Sequence, residues 1–126
     1  MTVFVRTLIC VAVVVSGSVA TAQKVPFENS ANALFQGCKA ATQNEKLDPQ
    51  TATVASYCNG VIYALASVSD RLSNPLERSC VPAISTGQTM RVVVKFLDDH
   101  PERLHENFVQ LALEVFHRTW SCPAGR

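Results

Sequence analysis

The side chains with reactive or ligating chemistry fall into two sets. One is the cysteines, Cys10, Cys38, Cys58, Cys80 and Cys122. The other is a dense polar run, Asp98, Asp99, His100, Glu102, Arg103 and His105, with His117 further along. A cysteine nucleophile needs a free thiolate beside a base, and an even number of mature cysteines leaves none over. Ser85 and Ser121 lie in no nucleophile-elbow context. A glycine-rich phosphate loop and a dinucleotide fingerprint are both missing from the sequence. The expectation is therefore a protein with no catalytic residues and no cofactor. Zinc competes with disulfides for the cysteines, but no Cys-x-x-Cys spacing occurs. The polar run holds two histidines and three carboxylates within eight positions, enough in principle for a metal. A solvated turn explains it more simply, with Asp99 capping a helix and Glu102 near that helix's positive end, so no metal site is expected.

The start of the chain reads differently from the rest. Arg6 is its only charge, residues 7–15 are almost wholly apolar, and Ala20-Thr21-Ala22 has the small-x-small form of a signal peptidase site. Residues 1–22 are expected to be a secretory signal peptide, cleaved before Gln23. The apolar run falls short of the roughly 20 residues that a membrane span needs. Removing 22 of 126 residues leaves 104, a single domain spanning residues 23–126. Arg6 leaves with them, so 10 basic residues face 10 acidic ones. A neutral balance gives no electrostatic reason to bind nucleic acid or an anionic membrane. Cys10 leaves too, and the four remaining cysteines of a small exported chain read as two disulfides.

Four helices are expected to hold these groups. The first begins near Asn29-Ser30, with Leu34, Phe35, Cys38 and Ala41 facing inward. The second starts at Asp48-Pro49, a capping carboxylate followed by proline at the first helical position. It runs to about Leu72, on a stripe of Val54, Cys58, Val61, Ile62, Leu65, Val68 and Leu72. Gly60, with Ala64 one turn on, leaves a shallow patch where another backbone could come close. The third helix is capped by Ser85 or Thr86 and carries Val92, Val93, Phe96 and Leu97. The fourth spans residues 101–122, with Leu104, Phe108, Leu111, Ala112, Val115, Phe116 and Trp120 on one stripe.

Short connections make this an all-α, up-and-down four-helix bundle. In that order the late part of the first helix and the early part of the second share an end, and the start of the third meets the finish of the fourth. Of three possible connectivities, this selects Cys38–Cys58 with Cys80–Cys122. Loop entropy assigns the two bridges about 3 and 4 kcal/mol. Exposed tips are where a rigid bundle presents contacts. Asp98, Asp99, His100, Glu102 and His105 are therefore the candidate partner-binding residues.

Several segments resemble the Tai/Rap family of immunity proteins: Cys58-Asn59-Gly60-Val61-Ile62, Cys80-Val81-Pro82, Gln88, the run from Val92 to Leu97, His100-Pro101-Glu102 and Cys122-Pro123. The resemblance covers most of the mature chain and departs at Ala64, where a second glycine is usual. It implies a periplasmic helical protein that binds and blocks a peptidoglycan amidase delivered by type VI secretion. It further implies that the partner is this secreted cell-wall amidase, and that the chain can form a homodimer. The alternative is a small periplasmic acid-stress chaperone, which exposes apolar surface as carboxylates and histidines gain protons.

Overall fold

A computed structural model describes residues 29–43 and 46–124. The expected signal peptide at 1–22 lies outside them. The described residues form four α-helices and no named strand: α1 (Ala31–Ala41), α2 (Pro49–Val68), α3 (Thr86–Asp99) and α4 (Phe108–Thr119). Two short 3₁₀ turns, Ser69–Arg71 and Pro101–Arg103, follow α2 and α3.

Three helices start where local chemistry places them. Ser30 Oγ accepts the Ala33 N–H at the head of α1. Asp48 Oδ1 accepts the N–H groups of Gln50 (3.0 Å) and Thr51 (3.1 Å), and Pro49 opens α2. The Thr51 hydroxyl also donates to this carboxylate, and together these bonds hold its pKa below the ordinary value. Ser85 and Gln88 form a reciprocal capping box on α3, each side chain accepting the other's backbone N–H. Each cap satisfies donors that the helix itself leaves unpaired.

The fourth helix departs from expectation. It begins at Phe108, capped by the Asn107 side chain, and not at Pro101. Asp99 caps nothing; it is the last residue of α3, and His100 is the C-cap. Residues 104–107 instead run beside the head of α1. The Ala31 and Asn32 N–H groups donate to the Glu106 and Leu104 carbonyls at 2.8 and 2.6 Å, and the Phe108 N–H donates to the Asn29 carbonyl at 2.8 Å. Unpaired donors of both helix starts are thus met by the other segment's backbone. In an uninterrupted helix the carbonyls of residues 104 and 106 would instead accept the N–H groups of residues 108 and 110.

The core is built from Leu34, Phe35 and Cys38 of α1, Cys58 and Ile62 of α2, Met90, Val93, Val94 and Leu97 of α3, and Phe108, Leu111, Val115 and Phe116 of α4. The β-branched run Val92-Val93-Val94 is helical, with Val93 and Val94 buried. Cys38 is bonded to Cys58, and Cys80 to Cys122. Gly37, not Gly60, is where two helices meet closely. A Cβ on Gly37 would collide with the Val54 side chain and backbone, whereas one on Gly60 would meet nothing within 4 Å. Gly60 points to solvent, as do Ala64 and Val68.

Candidate binding surface

The five candidate residues come together at the junction of α3 with the 3₁₀ turn Pro101–Arg103 and the loop after it. Asp98, Asp99 and His100 each have one side-chain polar atom engaged within the molecule. Lys39, near the end of α1, donates to Asp98 Oδ1 at 2.7 Å. Lys95 donates to Asp99 Oδ2 at 2.9 Å, one helical turn away, and this carboxylate raises the lysine's pKa. The His100 ring donates from Nδ1 to the Phe96 carbonyl at 2.8 Å and stacks on the Phe96 ring, with centroids 4.2 Å apart. Glu102 and His105 are exposed.

Arg103 organises this end of the molecule. Its guanidinium donates to both carboxylate oxygens of Glu106 at 2.7 Å and to both of Glu114 at 2.9 and 2.8 Å. It also lies 5.5 Å from the Phe96 ring centroid. Arg118 adds a second cation to Glu114 at 2.7 Å and a second approach to Phe96 at 5.8 Å. Paired forks of this kind are the strong form of charged hydrogen bond. They hold the pKa values of Glu106 and Glu114 below the ordinary carboxylate value, chiefly through the bonds from Arg103, and push that of Arg103 up. Sequence reading placed Arg103 in the polar run but not its link to Glu114, 11 positions on.

No group of three or more His, Cys, Asp or Glu among the described residues is placed to hold a metal. His117 sits half-buried and apart from the polar run, its Nδ1 donating to the Arg78 carbonyl at 2.9 Å.

A second surface was not singled out from the sequence. Residues 49–69 contain no Asp, Glu, Lys, Arg or His, yet α2 presents Ser56, Asn59, Gly60, Tyr63, Ala64 and Ser67 to solvent. Tyr63 is 63% exposed and Ile84 37%. With Ala66, Val81, Pro82, Thr86 and Thr89 they border an uncharged cavity of about 170 Å³ between α2 and α3. An exposed helix normally carries charge on its outer face. The charge-free run was the available signal.

Fold and surface define a small, doubly disulfide-bonded all-α module whose most distinctive polar groups lock its own helices together. The family model for Rap1a immunity proteins matches residues 30–122. The chain belongs to that family, and membership implies that its partner is an effector protein. No curated protein and no solved structure gives a match to the chain.

Proposed function

We propose that this chain neutralises a peptidoglycan amidase effector delivered by type VI secretion, acting in the periplasm by occupying the amidase cleft. The observation that carries the reading is the family match over residues 30–122, which includes all four cysteines of the two bridges. Two disulfides fit an oxidising compartment. No helix among the described residues is long and apolar enough to cross a membrane. The inhibition is steric and non-enzymatic: a preorganised module loses little freedom on binding, which favours tight association.

The exposed turn at 98–105 is the first surface to test. Glu102 and His105 offer their side chains to solvent, and Asp99 offers a carboxylate whose internal partner, Lys95, is itself exposed. Surface pairs of this kind contribute little to stability. The double substitution Asp99→Ala with Glu102→Ala is therefore expected to weaken inhibition of the cognate amidase while leaving Tm nearly unchanged. Inhibition equal to wild type would remove this turn from the interface.

The broader reading is tested with an exported Cys–His peptidoglycan amidase, sought first in the reading frame next to this chain's own. Purified protein is expected to abolish peptidoglycan hydrolysis at a one-to-one ratio and to co-elute with the enzyme. Full hydrolysis at excess inhibitor would overturn the assignment. Sedimentation of the free protein and of the complex would establish whether a homodimer forms.

A further inference from the structure

We propose that Cys80–Cys122 is a redox switch, opened by a dithiol reductant while Cys38–Cys58 stays closed. The proposal stands on the placement of the two bridges and is independent of which effector the protein binds. Thiol–disulfide exchange requires an attacking thiolate to reach a sulfur, so access governs which bridge reacts. Cys38 and Cys58 are both 0% exposed. They lie inside the α1–α2 seam beside the Gly37–Val54 approach, and no thiol reaches them unless the two helices separate. Cys80 and Cys122 are half-buried and lie outside the helices, Cys122 just beyond α4 and Cys80 in the connection between α2 and α3.

The exchange proceeds in two displacements. A thiolate of the dithiol attacks one sulfur of the Cys80–Cys122 bond, forms a mixed disulfide and releases the other cysteine as a thiolate. The second thiol of the reagent, as its thiolate, then attacks the mixed disulfide and releases the remaining cysteine. Two electrons and two protons pass to the protein, and the reductant leaves as its own disulfide.

Opening the bond removes the covalent tie at a rim whose other ties are all non-covalent. The Cys80 N–H donates to the Trp120 carbonyl at 2.8 Å, Ser79 pairs with Ser121, and His117 bonds the Arg78 carbonyl, while the Ser79 N–H donates to the Ser69 carbonyl and the Ser69 hydroxyl to the Ser79 carbonyl, both at 3.1 Å. Directly after Cys80, residues Val81, Pro82 and Ile84 form the outer wall of the uncharged cavity against Tyr63 and Ala66. Release of the rim frees that wall and widens the apolar surface already exposed at Tyr63 and Ile84. The α1–α2 seam shares none of these ties and keeps its structure.

The test uses the oxidised full-length mature protein in a graded series of dithiothreitol at neutral pH. Free thiols are alkylated and mapped by mass spectrometry. The expected result is a species labelled at Cys80 and Cys122 alone, formed at reductant levels about ten-fold below those that label Cys38 and Cys58. Simultaneous labelling of all four, or earlier labelling of Cys38 and Cys58, overturns the proposal. Hydrogen exchange on the half-reduced species is expected to lose protection at 77–84 and 120–124 while α1 and α2 keep theirs. Unchanged exchange at 77–84, or loss throughout α1 and α2, also overturns it. The variant Cys80→Ser with Cys122→Ser reproduces the half-reduced pattern without reagent.

Discussion

The two flanks of α1 are fastened by opposite means. On one flank α1 meets α2 through an apolar seam: Gly37 admits Val54 where a Cβ would not fit, and the Cys38–Cys58 bond crosses the same interface. On the other flank it meets the segment 98–107 through polar contacts: Lys39 with Asp98, and the Ala31 and Asn32 N–H groups with carbonyls of residues 106 and 104. Arg103, bound to Glu106 and Glu114, pins that segment to α4. The apolar seam gains its strength from shape and covalency, which pH and salt leave alone. The polar flank rests on groups whose charge and screening follow the solvent. One molecule thus has a fixed side and a side that responds to conditions.

The largest test of this difference removes the covalent part of the seam. Cys38→Ala with Cys58→Ala opens a loop whose ends are 20 residues apart and leaves space in the core. It is expected to lower stability by about 4 kcal/mol, read by urea denaturation. Gly37→Ala comes next: overpacking against Val54 is expected to cost about 2 kcal/mol. Its counterpart has the opposite sign. Gly60→Ala, on the open face of the same helix pair, is expected to stabilise by up to about 1 kcal/mol, because alanine favours the helix and nothing obstructs the added methyl. Matching signs in the two thermal melts would break the contrast between the faces.

The polar flank should respond more weakly and with a pH signature. Arg103→Met is expected to lower Tm by no more than about 5 °C at neutral pH, since partly exposed ion pairs contribute modestly. Glu106 and Glu114 have folded pKa values below their ordinary 4.5, so their contribution is complete above that value and is lost as pH falls through the lower folded values. Amide protection at 103–108, taken relative to the intrinsic exchange rate at each pH, should therefore fall below about pH 4.5 in the wild type, while α1 and α2 stay protected. In Arg103→Met that acid step should shrink to the part carried by the Arg118–Glu114 pair. An undiminished step would assign the acid response to other groups.

Local chemistry made much of the fold legible. Ser30, Asp48-Pro49 and Ser85 mark three helix starts because a cap acts on donors only two or three residues away. The order of helices brings Cys38 to Cys58 and Cys80 to Cys122, because alternating helices place those positions at shared ends. The start of α4 was misread for a physical reason. Leu104 and Phe108 keep the helical period, and Pro101 suits a first turn, so nothing local forbids a helix there. What forbids it is the head of α1, whose unpaired N–H groups take the carbonyls of residues 104 and 106.

The sequence by itself determined four helical stretches, the caps of the first three and the means to crosslink them, since each depends on residues near one another along the chain. Only tertiary structure decided which glycine admits a neighbour, where α4 begins and which of the charges at 98–106 are already taken. Those outcomes depend on which faces meet: Val54 lies against Gly37, and Glu114 comes to Arg103 from another helix. No spacing within a single segment records either approach.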